Sequence, residues 1–102
     1  MNWRDQIGIV TGASSGIGRA IALALAAQGM ALGLIGRDAG RLEEVASEAR
    51  SFGSRVLKYG ADLSQDDEIG RLRCNLQDDF GAIDVLVHSA GSFFIGQLRV
   101  LR

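Results

Sequence analysis

Ile9-Val10-Thr11-Gly12-Ala13-Ser14-Ser15-Gly16-Ile17-Gly18-Arg19-Ala20 is the stretch whose reading decides the fold. An apolar strand runs into three glycines spaced G-x-x-x-G-x-G, and an alanine-rich helix leaves them. Gly12 lets the chain turn sharply off the strand, where a side chain would obstruct the required backbone angles. Gly16 leaves room for a backbone to approach a phosphate, and Gly18 lets the helix pack tightly against the strand. The unpaired N–H groups of the helix's first turn, with its dipole, favour an anion at that point. Ser14 and Ser15 add hydroxyls able to cap the helix or touch a ribose. This is the local chemistry of a pyrophosphate site, with Ile17 between its second and third glycines. The spacing lacks the Gly-Lys-Ser/Thr ending of a P-loop, which argues against nucleoside-triphosphate hydrolysis.

Working outward, Ile21, Leu25 and the alanines between them carry an apolar stripe through a helix. Met30–Ile35 reads as a short strand buried on both faces, as in a parallel sheet. Strand, glycine turn, helix and strand within about thirty residues form the βαβ context that such a motif requires. The alternation continues. Asp38 starts a second helix with the stripe Leu42, Val45, Ala46 and Ala49, and Gly53 ends it. Arg55–Tyr59 is a third strand. Ser64 can cap a third helix carrying Ile69, Leu72, Leu76 and Phe80, and Ile83–His88 is a fourth strand. The acidic clusters Glu43-Glu44 and Asp66-Asp67-Glu68 fall in or near first turns, which suits the helix dipole, although solvated faces explain them equally well. Right-handed crossovers order the strands 3-2-1-4, with helices on both faces. The expected architecture is therefore an α/β, Rossmann-like, doubly wound parallel sheet of about four strands. Its ligand crevice lies at the carboxyl ends of strands 1 and 4.

Composition narrows the function classes. A chain of 102 residues supports one small domain, and an apolar fraction of 47% argues against disorder. A net charge of −1 without a basic stripe argues against nucleic acid as a partner. The uncharged run Ala20–Gly36 is too punctuated by Gln28-Gly29 to read as a membrane span, and no secretory signal opens the chain. The single cysteine, Cys74, excludes an internal disulfide and fits a reducing, cytoplasmic setting. Cys74 and His88 are too few soft ligands for a zinc site.

Thr11-Gly12-Ala13-Ser14-Ser15-Gly16-Ile17-Gly18 resembles the cofactor signature of the short-chain dehydrogenase/reductase family. Ala61-Asp62-Leu63, after the third strand, resembles the Asp-Leu pair that the family sets against the adenine ring. His88-Ser89-Ala90-Gly91 resembles its Asn-Asn-Ala-Gly motif with both asparagines replaced. The resemblance runs up to about Gln97 and implies a nicotinamide cofactor held by Gly12, Ser14, Ser15, Gly16, Ile17, Gly18, Arg37, Asp62, Leu63, Ala90 and Gly91. In the family pattern the carboxylate that selects NAD(H) occupies the place of Gly36, and Arg37 follows as in NADP-preferring members. NADP is therefore the expected cofactor and NAD the alternative, with Asp38 the rival carboxylate unless it caps the second helix. Arg19 faces either solvent or phosphate.

The resemblance also implies what these residues do not supply. The family transfers a hydride with a Tyr-x-x-x-Lys pair and a serine. Here the one tyrosine is Tyr59, residue 63 is leucine, and the only lysine is Lys58. No catalytic residue is assigned. A Ser-His hydrolase reading of His88-Ser89 fails because strand neighbours point to opposite faces and no G-x-S-x-G elbow exists. The tail Ser92–Arg102 resembles the family's loop into the next helix up to Gln97 and then becomes a short basic-apolar end. The expected function is thus the cofactor-binding half of an NADP(H)-dependent oxidoreductase, a truncated N-terminal portion spanning residues 1–102 without its catalytic half. The alternatives are a non-catalytic dinucleotide-binding module and a nonfunctional fragment, whose fourth strand would expose an edge. The substrate stays open, as does a homo-oligomer in a full-length form.

Overall fold

The computed structural model describes residues 6–13, 16–61, 65–88 and 94–96. Along the chain these form β1 (Ile7–Thr11), α1 (Gly16–Ala27), β2 (Ala31–Gly36), α2 (Ala39–Arg50), β3 (Val56–Gly60), α3 (Asp66–Phe80), β4 (Val85–His88) and β5 (Phe94–Gly96). The sheet order is β3-β2-β1-β4-β5. The first four strands pair in parallel, in the expected 3-2-1-4 arrangement.

Period-two alternation divides the strand residues between two cores. Val10, Leu32, Leu34, Val56, Val85 and Val87 face α1 and α2, where Ala22, Ala26, Leu42, Val45, Ala46 and Ala49 meet them. Ile9 and Ile35 face α3 and pack with Leu72, Leu76, Phe80 and Ile83. Gly33 lies on that second face because a Cβ there would stand 2.7 Å from the Ile9 Cδ1 and 3.2 Å from the Phe80 ring. The stripes read on α2 and α3 are the buried faces of those helices, with Ile69 only half-buried; on α1 the buried residues are Gly18, Ala22 and Ala26, while Ile21 and Leu25 of the expected stripe only flank the core and Ala24 is exposed.

Some boundaries differ from the sequence reading. The fourth strand begins at Val85 rather than Ile83. Asp84 supplies the reason: its backbone donates to the Ile7 carbonyl while its own carboxylate, 2.9 Å away, takes the Ile7 N–H. A side chain replaces the neighbouring carbonyl there, and the regular ladder starts one residue later. The N-cap position of α3 is Gln65, which makes no side-chain cap bond; Ser64, expected as the cap, lies outside the described residues. Asp66, Asp67 and Glu68 do occupy the first turn of α3, but Glu43 and Glu44 lie beyond the first turn of α2. Glu43 instead pairs with Lys58 of β3 at 2.6 Å and with Arg50 at 3.5 Å.

The largest departure concerns the edge of β4. Read as part of a loop, Phe94–Gly96 is an antiparallel strand that pairs with Leu86–His88. The far edge of β4 is therefore covered over those residues. Backbone donors and acceptors at a sheet edge are satisfied by any extended segment that can reach them, whatever its direction.

Candidate functional site

Because the four main strands are parallel, their carboxyl ends share one edge of the sheet. Thr11, Ile35 and His88 stand in register there, and Gly36 stands beside Gly60. The turns that leave this edge are tied to β2: the Ala13 N–H donates to the Ile35 carbonyl at 3.1 Å, and the Ala61 N–H to the Gly36 carbonyl at 3.1 Å. Gly12, Gly36, Ala61 and His88 are thereby gathered at one place from segments far apart in sequence.

The glycine turn has the geometry its residues imply. Gly12 adopts φ 64°, the left-handed region that glycine enters without penalty. Gly18 is buried on the inner face of α1. Gly16 is different. A Cβ at Gly16 would meet nothing within 4 Å among the described residues, so protein packing does not require a glycine there. The space it leaves adjoins the first turn of α1, which carries no acidic side chain to occupy the helix's positive end. Ile17 is 62% exposed, an unusual place for a large apolar side chain, and offers the same edge an apolar surface. Arg19 turns away, holding Glu48 of α2 at 2.6 Å. Of its two sequence options the solvent-facing one holds: Arg19 is exposed, and there it forms an ion pair between helices.

At the end of β2, Asp38 is the N-cap of α2, its Oδ1 accepting the Arg41 N–H at 3.0 Å. Its carboxylate serves the helix. Arg37 beside it is exposed and makes no hydrogen bond or ion pair among the described residues. A groove of about 340 Å³ opens beside the end of β3, lined by Gly60, Ala61, Glu68, Arg71 and Asn75 among others. Ser14, Ser15, Asp62, Leu63, Ala90 and Gly91 lie outside the described residues. The structure thus brings together Gly12, Gly16, Ile17, Gly18 and Arg37 of the expected set.

One pairing at this edge was not read from the sequence. His88 Nδ1 lies 2.7 Å from Thr11 Oγ1, which also lies 3.4 Å from the Val87 carbonyl. The signal was present: a 3-2-1-4 order makes strands 1 and 4 neighbours, and both residues end their strands.

Among the described residues the single tyrosine is held in a structural contact. Tyr59 donates its hydroxyl to Asp79 Oδ2 at 2.6 Å, tying β3 to α3. Burial, followed by that hydrogen bond, pushes its pKa up, the opposite of what a proton-transferring tyrosine needs. Among the described residues no group of histidine, cysteine and carboxylate side chains could hold a metal ion. No described helix is long and apolar enough to cross a membrane.

The family model of short chain dehydrogenase matches residues 6–100. Dehydrogenase/reductase SDR family member 11 of Homo sapiens is 36% identical over 91 residues, which are 87% of this chain and 35% of that protein. Among solved structures, NAD+-bound xylitol dehydrogenase superposes with a TM-score of 0.85 at 30% identity, covering 90% of this chain and 35% of the other. A metagenomic short-chain oxidoreductase in complex with NADP superposes with a TM-score of 0.84 at 36% identity, over 90% and 42% of the two chains. The chain thus spans about a third of the length of these relatives. The matched segment carries the glycine turn, the parallel sheet and the clustered strand ends described above, and on that match the chain belongs to the short-chain dehydrogenase family.

Proposed function

We propose that these residues bind a nicotinamide dinucleotide across the carboxyl edge of the sheet, as the cofactor-binding portion of an oxidoreductase. The observation that carries this reading is Gly16, a position at the N-terminus of α1 where a Cβ would meet nothing within 4 Å among the described residues. Gly12, Gly16 and Gly18 would admit the diphosphate to the N–H groups of α1, with Ile17 against the cofactor's apolar surface. Ser14, Ser15, Asp62, Leu63, Ala90 and Gly91 complete the proposed set. The bound group supplies hydride transfer; the polypeptide supplies binding and orientation.

NADP(H) is the preferred form. Gly36 puts no carboxylate against a 2′-phosphate, Asp38 is occupied as a helix cap, and exposed Arg37 is available to the phosphate. Solved relatives include both an NADP complex and an NAD+ complex, so a nicotinamide dinucleotide is the common element. No general acid/base is assigned within residues 1–102, whose single tyrosine and single lysine are adjacent on β3.

Thermal unfolding with and without NADPH tests the reading, since a ligand bound only by the folded state raises the transition temperature. Wild type should be raised, more by NADPH than by NADH. Gly16→Val should unfold at nearly the wild-type temperature and lose the response. An equal response from Gly16→Val would refute the placement. Arg37→Ala should erase the preference for NADPH.

A further inference from the structure

We infer that Arg41 sets the dinucleotide preference by neutralising Asp38, so that Arg37 meets the 2′-phosphate of NADP(H) unopposed. This rests on the dinucleotide reading above. Both carboxylate oxygens of Asp38 are turned to Arg41. Oδ1 accepts the Arg41 backbone N–H at 3.0 Å as the cap of α2, and Oδ2 lies 3.7 Å from the Arg41 Nε. The first contact starts the helix. The second joins two largely exposed side chains, and pairs of that kind add little to stability. Its consequence is in the charge it presents at the end of β2.

A carboxylate in this region binds a ribose 2′-hydroxyl and repels a 2′-phosphate, whereas an arginine attracts the phosphate. Arg37 and Asp38 are neighbours in the chain, so by themselves they present opposite charges to the same ligand group. With Arg41 against Asp38, the turn carries a net positive charge. The positive end of α2 adds to it, since the first turn of that helix contains no acidic residue. Between Asp38 and Arg41 stand only Ala39 and Gly40, both exposed, so no bulky side chain covers this end of the helix.

The other charged groups of this edge are paired with one another or belong to other strand ends. Glu43 pairs with Lys58 and Arg50, and Arg19 with Glu48. Glu44, on the turn of α2 after Arg41, makes no ion pair among the described residues. Glu68 and Arg71, opposite in sign, line one groove beside the end of β3. Asp66 and Asp67 lie in the first turn of α3. His88 ends β4, which β1 separates from β2. Asp38 is therefore the carboxylate that adjoins Arg37 in the chain, and Arg41 is the cation that holds it.

Calorimetric titration of the 102-residue chain with NADPH and with NADH, at low ionic strength, reads the preference as a ratio of affinities. Arg41→Gln should lower that ratio about two- to fivefold through weaker NADPH binding, the range spanned by one exposed ion pair. Arg41→Lys, which keeps the charge, should retain it. Asp38→Asn keeps an oxygen for the cap and should tighten NADPH binding. Combined with Asp38→Asn, Arg41→Gln should have almost no effect, because the charge it balanced is gone. An unchanged ratio in Arg41→Gln, or a fall in Arg41→Lys as large as in Arg41→Gln, overturns this inference alone. So does an Arg41→Gln effect of equal size with and without Asp38→Asn, which would make Arg41 a direct phosphate contact. Equal binding of NADPH and NADH by wild type overturns the NADP(H) preference and this inference with it. Absence of binding of either overturns the dinucleotide reading itself.

Discussion

The two faces of the sheet use alternate residues of the same strands, yet they are closed differently. On one face α1 and α2 lie side by side, bridged by Arg19 and Glu48, and the strand residues beneath them are almost wholly excluded from water. Glu43, Lys58 and Arg50 extend this bracing to β3, and the Arg50 guanidinium donates twice to the Val56 carbonyl. On the other face α3 is the one described helix. Leu72, Leu76, Phe80 and Ile83 keep 7–9% of their surface, and Ile7, Leu57, Tyr59 and Leu86 are only partly covered. Contacts from β3 and the segment before it anchor α3: Tyr59 donates to the Asp79 carboxylate, and Arg55 donates to the Asp79 carbonyl at 3.2 Å while its guanidinium lies 5.0 Å from the centre of the Phe80 ring. Burial rather than strand chemistry separates the faces, since apolar residues stabilise in proportion to the area they withdraw from water. The face with one helix is also the face on which, by alternation, Thr11 and His88 sit.

Truncating the two cores gives the largest expected effects. Leu34→Ala, fully buried under α1 and α2, should lose about 3–5 kcal/mol, whereas Leu76→Ala on α3 should lose about 2 kcal/mol. Urea denaturation measures both, and equal losses would break the comparison. Asp38→Ala removes the N-cap of α2 and should lose about 1 kcal/mol, a test of how far the two-helix face depends on α2 starting where it does.

Tyr59→Phe, which cuts a tie on the single-helix side, should lose less than about 1 kcal/mol. Its effect should also vary with pH. Burial and the Asp79 bond raise the folded-state pKa above the unfolded value, so the stabilisation is present below the unfolded value and is lost as pH rises through the folded one. The difference between Tyr59→Phe and wild type should therefore shrink in alkali. The smallest change is expected for Glu43→Gln on the opposite side. The hydrogen bond from Lys58 lowers the Glu43 pKa most; desolvation opposes it, and the charges of Lys58 and Arg50 with the Ser47 hydrogen bond leave the net direction downward. That contribution is present above the unfolded value and is lost as pH falls through the folded one, so wild type and Glu43→Gln should converge in acid. Salt should weaken it, because both partners are substantially exposed.

These effects also show where sequence reading succeeds. The apolar stripes of α2 and α3, the cap at Asp38 and the left-handed turn at Gly12 are set by neighbours within a few residues, so periodicity and residue type suffice to find them. The charged partners were not visible in that way. Glu43 read as a solvated face, and its pairing with Lys58 depends on how α2 lies over β3. Arg19 similarly found Glu48 only once α1 and α2 were side by side. Of the proposed cofactor set, the glycines and Arg37 were legible from spacing, while His88 gained its Thr11 partner across 77 positions of sequence.

By itself, the sequence determined the alternation of strands and helices, the glycine turn and the 3-2-1-4 order, because these follow from local periodicity and the handedness of crossovers. Tertiary structure alone decided that Asp84 would close the ladder with Ile7, that Phe94–Gly96 would run antiparallel along β4, and that Thr11 would hold His88. Each of those contacts joins a hydrogen-bonding group to whichever partner packing brings within reach, and no local pattern encodes that proximity.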